Sequence, residues 1–352
     1  MLKSIHYARG MAALLVVLFH FSFMFIGKME PYNTIFLNGG FGVDFFFLIS
    51  GFIISFVTQE KIKLSTFLLK RFFRIYPLFL FILIISSIFL IRYNVHPLWS
   101  IIKSGLLILQ DYNKPAPEFD FNLIGPAWTL SYEAWFYLIF GISMFISHKK
   151  RIEVTTALLL VQVFSLQFVF SGSISLNSSY VGSLGDSSYL DHAIKFFSTS
   201  LHLEFIAGMW MFKLFNRGSL NFPGTFTIPF SLALAISSVA LYFSKVVSGT
   251  GFTSFYVIAI PLFIAMILCE ANFNIPKSKT LSLLGDISFS IYISHFFIMY
   301  LFLENFPDFL ISSWNIIKLV IPTIVAILFA YILHKSIEVP IIKAARKFLN
   351  IK

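Results

Sequence analysis

Residues 37–57 read LNGGFGVDFFFLISGFIISFV, and the only ionisable side chain among them is Asp44. At 1.5 Å per residue such a run makes a helix of about 31 Å, the thickness of a bilayer's hydrocarbon core. The stretch therefore reads as a helix that crosses a membrane. Nine more runs of similar character give expected spans at 8–26, 74–91, 126–146, 152–171, 195–214, 227–243, 254–270, 284–303 and 315–336, about ten crossings with 37–57 included. The apolar stretch Leu98 to Leu109 is too short to span and carries Lys103, so it reads as interfacial or re-entrant. The first run is too long for a cleaved leader and lacks a small-residue cleavage site. Of 352 residues 58% are hydrophobic and only 12% charged, against about a quarter charged in soluble domains. A soluble enzyme is excluded, and the fold class is an all-α polytopic membrane protein built as one integral-membrane domain over 1–352.

The net charge of +10 suggests a nucleic-acid partner until the charges are placed. They lie between the apolar runs and form no patch, so no nucleic acid is expected. Alternating the ten spans puts 19 of the 26 Lys and Arg residues on one side, among them Lys3, Arg9, Lys70, Arg71, Arg74, Lys149, Lys150 and Arg151. Positively charged loops stay in the cytoplasm, so both termini are expected there. The longest outer loops, 92–125 and 172–194, are what a polar substrate arriving from outside meets first. The single cysteine, Cys269, excludes a disulfide framework and a cysteine metal site, and no metal is expected.

Ionisable groups inside a span are costly and need a reason. His20, Asp44, Glu133, His202, Glu204, Asp286 and His295 all fall inside expected spans. Any one of them reads equally well as a satisfied helix contact or a side chain snorkelling to the interface. Counting residues from the outer span ends places His20, Asp44, Glu133, Glu204 and His295 about 9–14 Å below the outer surface. The spacing thus predicts one buried polar cavity open to the outside, in which a carboxylate orients an imidazole for general-base work. A proton relay in a proton-coupled transporter would use the same groups. At the inner face, residues 61–77 read as a basic amphipathic segment lying on the membrane ahead of the third span. Such a segment anchors topology and binds anionic lipid; with Lys70, Arg71 and Arg74 within one turn it also suits a polyphosphate ligand.

Six blocks resemble the membrane acyltransferase-3 family, in that family's order. They are Tyr7-Ala-Arg9 through His20, with ten residues between Arg9 and His20; Gly42-Val-Asp44 through Ser50-Gly51; Lys70-Arg71-Phe-Phe-Arg74-Ile-Tyr76-Pro77; Trp128 through Glu133 to Tyr137; Leu284-Gly285 through Ser288 and Tyr292 to His295; and Glu338-Val-Pro340. The resemblance implies a bacterial inner-membrane O-acyltransferase that moves an acyl group, usually acetyl from acetyl-CoA, to a surface-glycan sugar such as that of O-antigen or another lipid-linked polysaccharide (lipopolysaccharide). Peptidoglycan, exopolysaccharide and secondary metabolites are alternative acceptors. It implies CoA binding by Arg9, Lys70, Arg71 and Arg74, and catalysis by His20 as general base or acyl carrier, with Asp44 or Glu133 holding its imidazole. It further implies an acceptor side lined by Trp128, Tyr137, Ser288, Tyr292 and His295. The family's basic pair is usually two arginines four residues apart, whereas Lys70 stands at the first position with Arg71 beside it. About sixteen residues follow the last span, so no soluble esterase-like domain is expected after it, and the bundle is expected to act alone or with a partner. A transporter would instead predict paired broken helices or an internal repeat, and the sequence has no repeat.

Overall fold

The computed structural model describes residues 2–23, 35–91, 98–244, 246–306 and 316–349. Residues 24–26 of the first expected span, residue 315 of the last and Lys352 lie outside them. The described residues form helices, turns and loops, with no strand among them. The helices are α1 (Lys3–Phe23), α2 (Gly42–Val57, entered through a 3-10 turn at Leu37–Phe41), α3 (Leu64–Ile91), α4 (Leu98–Gly105), α5 (Trp128–Ile146), α6 (Arg151–Ser171), α7 (Tyr189–Ser198), α8 (Glu204–Asn216), α9 (Gly224–Phe243), α10 (Tyr256–Asn272), α11 (Lys279–Asp286), α12 (Ser288–Asn305), α13 (Ile317–Leu333) and α14 (Val339–Phe348).

Among the described residues seven helices are long and apolar enough to cross a membrane, and α11 with α12, bent by 67°, makes an eighth if the pair counts as one span. The other two expected spans fall on shorter helices. The run 195–214 is interrupted: α7 ends at Ser198, Thr199 is extended and its hydroxyl accepts from Leu201 N–H, and α8 begins only at Glu204. Three consecutive hydroxyl residues, Ser198, Thr199 and Ser200, offer the backbone this local alternative to a helix. α10 has 17 residues, about 26 Å at the helical rise.

The expected separate basic segment is also corrected. Residues 64–91 form one helix of 28 residues, about 42 Å long and so longer than the hydrocarbon core. Lys70, Arg71 and Arg74 lie in its first three turns. The short α4 exposes Leu98, Trp99 and Ile102, as a helix lying in an interface does.

Lipid is as apolar as leucine, so helices in a membrane associate through close packing of small residues rather than apolar burial. Two crossings set the positions of the polar groups. At the first, α2 lies against α8: a Cβ on Gly51 would sit 2.1 Å from the Phe205 carbonyl oxygen, and one on Gly208 would sit 2.0 Å from that of Leu48. At the second, α1 meets α11: a Cβ on Gly10 would fall 2.6 Å from the Leu284 carbonyl carbon, and one on Gly285 would fall 2.4 Å from the His6 carbonyl oxygen. Arg151 at the start of α6 closes the end of α2, its Nη2 donating to the Ser55 carbonyl at 3.1 Å and its Nε to Thr58 Oγ1 at 3.1 Å.

Candidate active site

Arg9 and His20 are eleven residues apart on α1. Eleven residues make just over three turns, so both side chains share a face and stand about 16 Å apart along the axis. One helix thereby serves two ends of the bundle: Arg9 lines a cavity near the basic end, and His20 lines a larger one near the loops 98–125 and 246–255.

His20 Nδ1 lies 2.9 Å from the Val16 carbonyl oxygen and 3.1 Å from His295 Nε2, while His295 Nδ1 lies 3.2 Å from the Ile291 carbonyl oxygen. A carbonyl only accepts, so each Nδ1 that faces one carries the hydrogen. His20 Nδ1–H is then shared between Val16 and His295 Nε2, and His20 Nε2 keeps its lone pair. Phe296 and Phe19 hold the ring edge-on at 4.8 and 4.9 Å.

Neither Asp44 nor Glu133 takes the orienting position expected of it; His295 does. The five groups placed in one layer separate into three sets. His20 and His295 form one. Asp44, fully buried, accepts the Gly251 N–H at 2.7 Å and adjoins Glu204 across the tight α2–α8 crossing. Glu133 faces the arginines, its Oε1 accepting from Ser50 Oγ at 2.9 Å and from Tyr137 Oη. Depth along a helix does not fix the direction around it, and it is direction that separates the sets. His202 is a packed core histidine against Tyr132 and Phe196. Asp286, at the break between α11 and α12, lies 3.3 Å from His6.

Three cavities follow one another through the bundle. A vestibule of about 360 Å³ at the basic end is lined by Lys70, Arg71, Arg74 and Arg346. Arg71 and Arg74 also line the second cavity, a narrow one of about 90 Å³ that includes Arg9, Ser50, Glu133, Tyr137, Ser288 and Tyr292. Val43 and Tyr292 form its common wall with the third, which measures about 870 Å³ and is lined by His20, Trp128, Phe296, Tyr300, Glu118, Asn122 and Thr250 among others. Tyr292 Oη lies 2.8 Å from Thr129 Oγ1 and 3.0 Å from the Pro126 carbonyl oxygen.

Of the residues expected on the acceptor side, Trp128 and Tyr292 border the large cavity, while Tyr137 and Ser288 belong to the narrow one and His295 stands behind His20. Arg71 rather than Lys70 reaches the narrow cavity. Its guanidinium lies over the Phe67 and Tyr137 rings at 5.8 and 5.6 Å, and its buried Nε has no acceptor among the described residues, a vacancy that fits an anionic oxygen. Glu338, in the last sequence block, accepts from Ser290 Oγ at 2.7 Å and pairs with His334 at 2.9 Å, tying the end of α13 to α12.

Three polar residues of the large cavity, Glu118, Asn122 and Thr250, have no place among the six sequence blocks. Glu118 and Asn122 sit in Pro117-Glu-Phe-Asp-Phe-Asn122, where acids and an amide alternate with phenylalanines, the one signal that could have drawn attention to them. Phe119, Asp120 and Phe121 all have left-handed φ, between 46° and 63°, which costs about 1–2 kcal/mol per residue. The loop is over-determined: Asp111 N–H donates to the Phe119 carbonyl at 3.0 Å, Gln110 N–H to that of Phe121 at 3.1 Å, and Tyr132 Oη to that of Pro117 at 2.7 Å. Burial pushes the Glu118 carboxyl above its ordinary pKa, with Thr250 Oγ1 3.4 Å away as a donor.

Comparison with known proteins shows the family. Residues 2–335 match the model of a family described as an acyltransferase domain. The chain is 26% identical over 279 residues to the acyltransferase MdmB of Streptomyces mycarofaciens, an alignment covering 74% of this chain and 68% of that protein. It is 24% identical over 271 residues to the exopolysaccharide production protein ExoZ of Rhizobium meliloti (strain 1021), covering 74% and 77%. It is 25% identical over 373 aligned positions to SACOL0978 of Staphylococcus aureus (strain COL), provisionally named an O-acetyltransferase, covering 97% of this chain but only 57% of that longer protein. No solved structure matches. The six sequence blocks, the helical bundle that assembles them and a family match over nearly the whole length lead to one conclusion: the chain belongs to the membrane acyltransferase family.

Proposed function

We propose that the protein moves an acetyl group from cytoplasmic acetyl-CoA to a hydroxyl of a surface-glycan sugar, O-antigen or another lipid-linked polysaccharide, on the outer side of a bacterial inner membrane. The observation that carries this reading is the row of adjoining cavities, the first two sharing Arg71 and Arg74 and the last two sharing Val43 and Tyr292, from a cationic vestibule to the cavity lined by His20. Lys70, Arg71, Arg74 and Arg346 suit the phosphates of CoA, with Arg9 deeper in. The narrow cavity suits the slim pantetheine chain, and Tyr292 stands where the thioester would enter the large one. That cavity falls within the range of about 300–1,000 Å³ usual for small-molecule sites and has the mixed aromatic and polar wall expected for a sugar.

In the step itself the acceptor oxygen attacks the thioester carbonyl as its proton passes to His20 Nε2. The new C–O bond replaces the C–S bond, and the departing thiolate of CoA takes the proton back. His295 steadies the imidazolium through the Nδ1–H it already accepts. General-base catalysis of this kind contributes about 10²–10⁴-fold. Similarity to ExoZ, an exopolysaccharide production protein, supports a polysaccharide acceptor. The test is transfer of labelled acetyl from acetyl-CoA to glycan in membranes carrying the protein. His20→Gln is expected to lower it by 10²-fold or more, and full transfer by that variant would refute the assignment.

A further inference from the structure

Building on the acyl-transfer reading, we infer that Glu118 is the acceptor-recognition residue of the large cavity. Its carboxylate accepts hydrogen bonds from hydroxyls neighbouring the one that reacts and selects a neutral polyol over an anionic acceptor.

Glu118 is short of partners. It shares the cavity with His20, is half-buried, and has no Lys, Arg or His within ion-pair distance among the described residues. Lys103, the cation of the same wall, instead donates to the Gln110 carbonyl at 2.9 Å. Among the described residues the one side chain donating to Glu118 is Thr250, at a long 3.4 Å. A carboxylate offers about four acceptor sites, so most of those on Glu118 are unfilled, and burial has already raised its pKa. A half-buried carboxylate short of donors is stabilised by a ligand that brings them. A sugar brings two at once from adjacent hydroxyls, while its C–H faces rest on Trp128, Phe296 and Tyr300. A carboxylate or phosphate on the acceptor would meet Glu118 as a like charge.

The left-handed run at Phe119–Phe121, locked by the Asp111, Gln110 and Tyr132 bonds, fixes where Glu118 points. Strained backbone that its surroundings hold rigid is a mark of ligand-positioning segments.

The test uses the full chain in nanodiscs with labelled acetyl-CoA and two acceptors, the octyl glycoside of a neutral hexose and that of the matching uronic acid. Glu118→Gln is isosteric and can still accept from Thr250. It is expected to raise KM for the neutral acceptor at least tenfold, to leave KM for acetyl-CoA within twofold, and to narrow the preference for neutral over acidic acceptor. Glu118→Asp, which keeps the charge on a shorter arm, is expected to fall between. An unchanged acceptor KM, or a fall in kcat alone, would overturn the role given to Glu118. Unaltered CoA binding by both variants confirms that the bundle is intact. Absence of transfer by the wild-type chain would overturn the acyl-transfer reading itself and this inference with it, an outcome distinct from an active wild type with an indifferent Glu118→Gln.

Discussion

Replacing His295 by phenylalanine removes the nitrogen that accepts from His20 Nδ1–H at 3.1 Å and leaves a ring to pack against Phe21 and Phe296. The Val16 carbonyl, at 2.9 Å, still accepts the same hydrogen, so the tautomer that exposes Nε2 survives. What is lost is the difference between a hydrogen bond to imidazolium, about 1.5–3 kcal/mol, and one to neutral imidazole, about 0.5–1.5 kcal/mol. That difference, about 1–1.5 kcal/mol, acts only once the proton has been taken and corresponds to about a five- to tenfold fall in kcat. KM for both substrates should hold, and His295→Gln, whose carbonyl can accept, should recover part of the loss. Steady-state transfer of labelled acetyl with purified protein measures all of this. A fall as deep as that of His20→Gln would refute the reasoning, because His295 would then itself be handling the proton. Unchanged kcat would show that the contact stabilises nothing.

Three further outcomes are expected. Arg71→Gln and Arg74→Gln, which change side chains shared by two cavities, should each weaken CoA binding about tenfold or more through loss of charge-assisted hydrogen bonds, whereas Lys70→Gln should cost less than threefold; isothermal titration at two salt concentrations compares them. Gly208→Ala brings a Cβ to 2.0 Å from the Leu48 carbonyl oxygen and should destabilise the α2–α8 crossing by about 3 kcal/mol or more, seen as a lowered melting temperature in detergent. Burial alone would raise the pKa of Asp191, but bonds from Lys195, Ser183 and Leu184 outweigh it and hold its carboxyl well below the usual range. A depressed folded-state pKa stabilises above the unfolded value of about 3.9 and loses that contribution as pH falls toward the folded one. Asp191→Ala should therefore cost about 3 kcal/mol at pH 7, and its melting temperature should begin to approach that of the wild type only as the pH falls below about 4.

The sequence carried a good deal of this. Hydropathy located the long helices, and the first of the six blocks already named Arg9 and His20. The cluster Lys70, Arg71 and Arg74 marked the vestibule. What stayed hidden depends on neighbours rather than on spacing. Counting down each helix put Glu133 and Asp44 at the level of His20, but rotation about the helix axis turns Glu133 toward Tyr137 and the arginines and Asp44 toward Glu204. The same uncertainty hid His295 as the partner of His20 and moved Tyr137 and Ser288 to the narrow cavity. The break at Thr199 has no proline or glycine to announce it. Glu118 lies in a loop, where no period relates residue number to direction.

The claim on which the rest depends is that donor and acceptor meet inside the bundle from opposite sides. Proteoliposomes in which the vestibule end faces outward, selected by accessibility of an engineered label near Arg346, can be loaded with the hexose glycoside and given labelled acetyl-CoA outside. Acetylated glycoside is expected inside the vesicles, abolished by His20→Gln. Acetylation only when both substrates share one compartment would contradict it.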